Sequence, residues 1–229
     1  KYNLDINSLP YEKMVEKIVK RIKPILTNEN FDGIIVFGDT NSTIAASLAA
    51  SSLKIPIFHI EAGLRSYNRS MPEEINRIIT DHLSTLLFCP TNNAVENLKK
   101  ESIDKGVFLS GDIMYDSYKK FSILKKKLSY QKKNNNRFVL ATIHRRENID
   151  NYENLSKIFY NLDKIFEKIK IIMPLHPHTK KKIKDYKIET RVSMVEPLGY
   201  IDMLSLLGNC ELVITDSGGL QKEAFFAKK

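Results

Sequence analysis

Acidic and basic side chains crowd into one short stretch, residues 58–77, FHIEAGLRSYNRSMPEEINR, which includes Glu61, Glu73 and Arg77. This stretch begins at the end of an apolar segment typical of a buried strand, and Asp39 follows another such segment, residues 33–37. Gathered carboxylates raise one another's pKa, which can supply an acid and a base at neutral pH. The pattern therefore predicts proton transfer by Asp39, Glu61 and Glu73. Arg77 lies four residues after Glu73 on the same helix face and would orient a carboxylate or balance its charge.

The alternative for such a stretch is a cluster of ion pairs on the protein surface, which contributes little to stability. We favour this alternative for Glu74 and Arg69. For Asp39, Glu61 and Glu73, the position at the ends of predicted strands favours chemistry, because ligands of open α/β sheets bind beyond the carboxyl ends of the strands.

A second polar segment, TDSGGLQKEA at 215–224, has the features of an anion site. Ser217 can cap a helix, and Gly218 and Gly219 allow a ligand to approach the backbone, so that unpaired N–H groups can bind a phosphate. Glu223 lies six residues after Ser217, where it can accept hydrogen bonds from ribose hydroxyls. An ordinary serine-capped helix is the alternative explanation.

Three histidines follow predicted strands. His144 precedes two arginines and can donate to a phosphate or transfer a proton, although a structural role is the alternative. His176 and His178, in LHPH, have the spacing of a metal pair, but the sequence supplies no third ligand. We therefore predict no metal and no cofactor. A Walker-type loop, a G-x-S-x-G elbow and a G-x-G-x-x-G after a strand do not occur in the sequence.

Apolar runs alternate with helical patterns along the chain, which predicts an α/β fold with parallel sheets. We expect strands near 33–37, 55–60, 86–90, 107–111, 138–143, 169–175, 192–197 and 211–215. Continuous apolar runs such as GIIVF (33–37) are typical of strands covered on both faces. A charged and polar segment, 120–136, separates a first parallel-sheet unit at 1–124, which carries the carboxylates, from a second at 125–229.

Composition narrows the class of protein. The net charge of +9 raises the alternative of a nucleic-acid-binding protein, but no DNA- or RNA-binding motif accompanies the lysines, so we expect a solvated basic surface and no nucleic-acid partner. No apolar run approaches the ~18 residues that span a bilayer, so no membrane partner is predicted. Cys89 and Cys210 are far apart in the sequence and are expected to be buried thiols in a reducing compartment.

Several motifs together closely resemble the non-hydrolysing UDP-N-acetylglucosamine 2-epimerase family. They are GDTNST (38–43), HIEAGLRS (59–66), MPEEINR (71–77), TIHRREN (142–148), LHP (175–177) and TDSGGLQKEA (215–224). The resemblance runs from about Glu12 to the last residue. It implies two Rossmann-like domains, as in GT-B glycosyltransferases, and inversion of C2 of a UDP-linked 2-acetamido sugar by elimination and re-addition of UDP. It further implies a cytoplasmic homodimer that serves cell-surface polysaccharide synthesis, and two segments look closer to the branch acting on UDP-2,3-diacetamido-2,3-dideoxyglucuronate.

Position by position, the resemblance implies catalytic roles for Asp39, Glu61, Glu73, Arg77 and His144, and contacts with UDP for His176, Ser217, Gly218, Gly219 and Glu223. The family's Gly-Thr-Arg-Pro-Glu motif and its later return helix have no counterpart here. The sequence therefore predicts a chain truncated at both ends, with an incomplete UDP-binding second unit. A hydrolysing epimerase, a GT-B glycosyltransferase that uses a UDP-sugar and a catalytically inactive sugar-nucleotide binder remain as alternatives.

Overall fold

A computed structural model of the chain describes residues 1–7, 9–124 and 137–229. The chain divides into two compact units, Lys1–Ile113 and Met114–Lys229. Most of the predicted junction at 120–136 lies outside the described residues. The predicted boundary between residues 124 and 125 lies at the edge of the part that is not described, and it stays a prediction.

The first unit alternates helices and strands around one parallel sheet. Its elements are α1 (Tyr11–Asn28), β1 (Ile34–Phe37), α2 (Asn41–Ser52), β2 (Ile57–Ile60), α3 (Pro72–Leu83), β3 (Leu86–Cys89), α4 (Asn92–Lys100) and β4 (Val107–Leu109). The strands pair in the order β1-β2-β3-β4, all parallel, so their carboxyl ends lie along one edge. Proline at the first position of α3 fits the start of a helix, because that position needs no backbone donor.

The two faces of this sheet differ in burial. Val36 and Ile57 belong to a buried apolar cluster with Leu26 of α1 and with two alanines of α2. On the strand β1 itself, however, Ile35 is 60% exposed and Phe37 is 57% exposed. The prediction that GIIVF forms a strand covered on both faces is therefore wrong for the described part of the chain. The apolar run is the same in either case, so it could not distinguish a covered face from an open one.

The second unit is built on a second parallel sheet. A helix α5 (Ile113–Ser122) leads into it, followed by β5 (Phe138–Thr142), α6 (Arg146–Ile149), α7 (Tyr152–Phe166), β6 (Lys170–Pro174), α8 (Pro177–Asp185), β7 (Ser193–Val195), α9 (Tyr200–Asn209), β8 (Leu212–Thr215) and α10 (Gly218–Phe226). The strands are ordered β7-β6-β5-β8. Strand β5 lies between β6 and β8, which brings the residues that follow β5 next to those that follow β8.

Strand β5 of this second sheet is covered on both faces. Alternate residues of β5 point to opposite sides, as the pleat requires. Val139 belongs to one buried cluster, which includes Phe159 of α7, whereas Leu140 belongs to another, which includes Leu204 of α9 and Leu220 of α10. The sequence-based expectation of helix-covered parallel strands is confirmed here.

The predicted order of strands and helices is confirmed in both units, and so is the α/β fold class. Helix α5 and the short helix α6 were not predicted. Cys89 and Cys210 are free and buried, as predicted. None of the described helices is both long and apolar enough to span a bilayer. Within the described ranges, no group of three or more His, Cys, Asp or Glu side chains is arranged to hold a metal ion.

Candidate functional site

The first polar cluster lies at the carboxyl ends of β1 and β2. Pairing of Phe37 with Ile60 sets the residues that follow these strands side by side. Gly38 has a φ of +61°, and a Cβ placed on it would lie 3.4 Å from Oε2 of Glu61. The Glu61 carboxylate therefore lies over the backbone of Gly38, immediately before Asp39. The structure thus brings two of the predicted carboxylates to one place.

Arg77 joins this cluster to helix α3. One guanidinium nitrogen lies 2.6 Å from Oδ2 of Asp39, and another lies 2.8 Å from Oε2 of Glu74. The neighbouring Asn76, which is fully buried, donates its amide to the backbone carbonyl of Asp39 at 2.8 Å and accepts a hydrogen bond from the hydroxyl of Tyr11. Helix α3 therefore fixes both the backbone and the carboxylate of Asp39. Asn76 was missed as a site residue, although it lies within the quoted MPEEINR segment.

The backbone of Glu61 is held in an unusual conformation. Its φ is +73°, in the left-handed region that costs an L-residue roughly 1–2 kcal/mol. The N–H groups of Glu61 and Ala62 both donate to the carbonyl of Phe88, each at 3.1 Å, which holds the chain in this turn. Strained residues that the surrounding structure over-determines cluster at functional sites. The strained backbone of Glu61 therefore supports a functional role for its carboxylate.

Glu74 contradicts the sequence-based expectation of a surface ion pair. Its residue exposure is 1%, and its carboxylate accepts hydrogen bonds from the N–H and hydroxyl of Ser66 and from the N–H of Tyr67, in addition to its pairing with Arg77. Burial alone would raise the pKa of this carboxyl, but the bonds from Ser66, Tyr67 and Arg77 lower the pKa below its ordinary value. Glu74 is therefore a buried residue whose hydrogen bonds hold the turn at residues 66–67 in place. Arg69, by contrast, is exposed, as expected.

Glu73 is exposed at the start of α3, and its side chain forms no hydrogen bond or ion pair with the residues that the structure describes. The structure therefore gathers Asp39, Glu61 and Arg77, whereas it shows no bond from Glu73 to any of them. Successive helix residues are about 100° apart around the axis, so Glu74 points inward where Glu73 points to solvent.

The second polar cluster lies at the ends of β5 and β8. Ser217 caps α10, with its hydroxyl oxygen accepting from the N–H of Leu220. The hydroxyls of Thr142 and Thr215 lie 2.6 Å apart across the two strands, and Thr215 also accepts from the N–H of Ser217. Space is open where a Cβ on Gly218 would lie. The helix start therefore presents the N–H groups of Gly218 and Gly219, which have no hydrogen-bond acceptor among the described residues and favour an anion.

Asp216 organises the turn that carries His144. Its carboxylate accepts hydrogen bonds from the N–H groups of His144 and Arg145 and from the side-chain amide of Asn148. It also lies 3.1 Å from Nδ1 of His144. Burial would raise the pKa of Asp216, but the bonds from Arg145, Asn148 and His144 lower the pKa instead. Sequence reasoning missed Asp216, although its place directly before the capping serine was a signal.

A cavity of about 410 Å³ opens at this edge of the second sheet. Four of the predicted UDP contacts line it, together with His144 and several apolar residues; the four are His176, Ser217, Gly219 and Glu223. The rings of His144 and His176 are 6.5 Å apart, centre to centre. A mainly apolar cavity with a few convergent polar groups is the usual form of a small-molecule site.

Glu223 is the buried acid of this cavity. Its residue exposure is 8%, and burial raises its pKa, partly offset by a hydrogen bond from Tyr200. The pKa of Tyr200 is raised as well, since burial and the nearby Glu223 carboxylate bring it to about 12. Burial and their hydrogen bond to each other therefore set the pKa values of both groups.

A parallel sheet with a serine-capped, glycine-led helix start and a polar cavity at its strand ends is the arrangement of Rossmann-like nucleotide-binding domains. Two such sheets, one of which carries carboxylates at its strand ends, are the features expected of an enzyme that acts on a nucleotide-linked substrate. The family described as UDP-N-acetylglucosamine 2-epimerase matches residues 1–229, and the chain belongs to this family. The resemblance inferred from the motifs is thereby confirmed.

Similar proteins span bacteria and archaea. A UDP-N-acetylglucosamine 2-epimerase homolog of Methanococcus maripaludis is 45% identical over 99% of this chain and 66% of its own length. The UDP-2,3-diacetamido-2,3-dideoxy-D-glucuronate 2-epimerase of Pseudomonas aeruginosa is 42% identical over 100% of this chain and 65% of its own. The chain thus spans just under two thirds of the length of these relatives.

Solved structures agree with this fold. The crystal structure of Methanocaldococcus jannaschii UDP-GlcNAc 2-epimerase in complex with UDP-GlcNAc and UDP matches with a TM-score of 0.89 at 39% identity, covering 100% of this chain and 67% of that one. The Neisseria meningitidis UDP-GlcNAc 2-epimerase bound to UDP-GlcNAc matches with a TM-score of 0.84 at 34% identity, covering 98% and 65%. The expected fold of two Rossmann-like units, of the type found in GT-B proteins, is confirmed.

The left-handed backbone of Glu61 leads to a test by substitution. Glu61→Gly and Glu61→Ala both remove the carboxylate, but only glycine adopts a positive φ without strain, so the glycine variant should be about 1 kcal/mol more stable than the alanine variant. Urea unfolding measures the difference. In helix α4, Glu96→Gly should instead be less stable than Glu96→Ala by about 1 kcal/mol. An alanine variant at 61 as stable as the glycine variant would show that no strain resides there.

The lowered pKa of Glu74 predicts how stability depends on pH. A carboxyl whose folded pKa lies below its unfolded value stabilises the protein above the unfolded pKa, and this contribution is lost as the pH falls through the folded pKa. Glu74→Gln should therefore cost about 1–3 kcal/mol at neutral pH. The deficit should shrink as the pH falls below the ordinary value of 4.5. Unfolding measured across that range, with the exposed Glu96→Gln as control, tests this, and a deficit that does not change with pH would refute it.

Proposed function

We propose that the complete protein to which this chain belongs inverts C2 of a UDP-linked 2-acetamido sugar. The match of all 229 residues to the epimerase family supports this proposal, as do relatives named for this reaction. The observation that carries it is the position of the Glu61 carboxylate over Gly38, the residue before Asp39, whose own carboxylate pairs with Arg77. Gathered carboxylates with a cationic partner are the groups that proton abstraction from carbon needs.

The chemistry explains why more than one acid or base is needed. C2–H of a 2-acetamido sugar has no adjacent carbonyl to stabilise a carbanion, so departure of the nucleotide must share the work. A base removes the C2 proton while the C1–O bond to UDP breaks. The electron pair of the C2–H bond forms the C1–C2 double bond, and the pair of the C1–O bond leaves with the diphosphate. The resulting C1–C2 double bond is then attacked at C1 by the diphosphate, and a proton returns to C2 from the opposite face.

In this proposal, Asp39, Glu61 and Glu73 move the proton. The first two follow neighbouring strands, and Arg77 orients the Asp39 carboxylate through a contact of 2.6 Å. Exposure of Glu73 leaves its carboxylate free to turn towards a ligand. A positioned acid or base contributes typically ~10²–10⁴-fold, so several groups must act together.

The second unit would bind the nucleotide. The start of α10 at Ser217, Gly218 and Gly219 offers N–H groups to the diphosphate, where negative charge grows as UDP leaves. His144, oriented through Nδ1 by Asp216, can present Nε2 to the same charge, and His176 lines the same cavity. The buried carboxyl of Glu223 suits the ribose hydroxyls.

The alternatives predict different products. A hydrolysing epimerase releases the free sugar, and a GT-B glycosyltransferase consumes an acceptor, whereas the proposed enzyme converts the nucleotide sugar alone. Family membership favours the epimerase over the glycosyltransferase and over a nucleic-acid-binding protein. The similar identities to the Methanococcus and Pseudomonas relatives leave two candidate substrates, UDP-N-acetylglucosamine and UDP-2,3-diacetamido-2,3-dideoxyglucuronate.

The resemblance also supports the remaining parts of the proposal: a homodimer in the cytoplasm that supplies a sugar nucleotide to cell-surface polysaccharide synthesis. Sedimentation of the complete protein measures the oligomeric state, and cell fractionation measures the compartment. A monomer at working concentration would remove the dimer from the proposal without affecting the chemistry.

Exchange of solvent deuterium into C2 tests the catalytic assignments. The complete protein is incubated in deuterated water with each candidate UDP-sugar, and NMR follows both C2 stereochemistry and deuterium content. Asp39→Asn and Glu73→Gln should each reduce exchange by about 10²–10⁴-fold, because each removes a proton-transfer group. Glu16→Gln, an exposed carboxylate of α1, should exchange at the normal rate. Near-normal exchange in Glu73→Gln would remove Glu73 from the catalytic residues, and no exchange with either sugar in the unaltered protein would refute the proposed function.

The raised pKa of Glu223 predicts opposite effects on stability and binding. A folded pKa above the unfolded one means that the group stabilises below its ordinary pKa and loses that contribution as the pH rises through the folded value. Glu223→Gln should therefore make the free protein more stable at neutral pH, yet weaken binding of UDP by about tenfold, because a charged acceptor for ribose is lost. Urea unfolding and titration calorimetry with UDP measure the two effects, with the exposed Glu153→Gln as control. Unchanged UDP affinity would exclude Glu223 from the nucleotide site.

A further inference from the structure

A buried histidine lies beneath the carboxylates of the first unit. His59 occupies β2, two residues before Glu61, and its side chain has no solvent exposure. Its Nε2 lies 2.8 Å from the carbonyl oxygen of Gly38, and its Nδ1 lies 2.7 Å from Oδ1 of Asp81, which is equally buried. A carbonyl oxygen only accepts hydrogen bonds, so Nε2 carries a proton and donates to Gly38.

Asp81 in helix α3 extends the connection to the second strand end. Its other carboxylate oxygen accepts from the N–H of Gly63 at 3.2 Å and lies 2.7 Å from a guanidinium nitrogen of Arg65. Arg65 in turn donates to both oxygens of Glu101, at 2.6 and 2.7 Å. The chain of bonds therefore begins beside Asp39 and ends beyond Glu61, with α3 and α4 as its supports.

A purely structural role does not account for this arrangement well. Taking ionisable groups out of water is costly, and apolar replacements of similar volume are often neutral or stabilising. Leucine would fill the place of His59 in an otherwise apolar strand. What apolar side chains cannot do is fix the carbonyl of Gly38 and the N–H of Gly63, the two backbone groups that flank Asp39 and Glu61.

We infer that His59 and Asp81 are positioning residues of the epimerase reaction, a role that rests on the function proposed above. His59 sets the direction of the chain at Gly38 and thereby the place of the Asp39 carboxylate. Asp81 anchors the turn at Gly63 and thereby the place of Glu61. Neither residue needs to touch the substrate. Displacement of a reacting group by about 1 Å costs roughly 100-fold in rate, so small movements at these backbone groups have large effects.

The test compares two substitutions of similar volume in the complete protein. His59→Gln keeps an N–H donor within reach of the Gly38 carbonyl, whereas His59→Leu keeps only the bulk. We expect the leucine variant to lose about 10–100-fold in kcat, with the glutamine variant recovering a clear part of it. KM and the affinity for UDP should stay unchanged in both, because the nucleotide contacts lie in the second unit. Rates are divided by the concentration of UDP-binding sites, so that a partly unfolded sample does not imitate a loss of kcat.

The control is Thr80→Val, next to Asp81 on the same helix. Thr80 is buried, and its hydroxyl has no hydrogen-bond partner in the described part of the chain, so valine changes neither shape nor bonding there. Its kcat should match that of the unaltered protein. Equal kcat in the glutamine and leucine variants, or a normal kcat in the leucine variant, would overturn the inference while leaving the proposed function intact. Absence of turnover in the unaltered protein with both UDP-sugars would overturn both.

Discussion

Parallel pairing obliges the strands of a sheet to end along the same edge, and the chemistry available to this protein follows from that constraint. In the first sheet, the register of β1 with β2 puts Gly38 beside Glu61. In the second sheet, the central position of β5 brings His144 next to Asp216, which follows β8. Residues far apart in the chain become neighbours because backbone hydrogen bonds leave the strands no other choice.

Hydrogen-bond donors, charged in one unit and mainly neutral in the other, then keep the carboxylates at these edges from destabilising the fold. Carboxylates brought together repel one another, and each loses hydration as the neighbouring chain covers it. Arg77 compensates in the first unit by pairing with Asp39 and Glu74 at once. In the second unit, backbone N–H groups and the side-chain amide of Asn148 do the same for Asp216 by donating hydrogen bonds to its carboxylate. The two units solve one electrostatic problem with different donors.

The order of elements was predictable, because apolar runs and helical stripes repeat with their own periods, and the sequence motifs alone indicated the family. Finer distinctions were not predictable. Glu73 and Glu74 are neighbours of the same type, and only the rotation of α3 against the sheet decides which is buried. The exposed face at Ile35 could not be predicted for a related reason, because the sequence of a strand does not show which helices pack against it. Asp216 lay beside a recognised serine, yet its role depends on a turn 70 or so residues earlier, a separation that local patterns do not register.

The bonds of Asp216 have a mechanical consequence. One carboxylate holds the N–H groups of His144 and Arg145, and the same residue directly precedes the serine that caps α10. The bonds of Asp216 therefore hold the turn after β5 and the beginning of α10 in a fixed arrangement at the base of the cavity. Any ligand that settles there meets donors whose spacing was set during folding, so little ordering entropy remains to be lost on arrival. A substitution that displaces the turn after β5 will therefore also displace the beginning of α10.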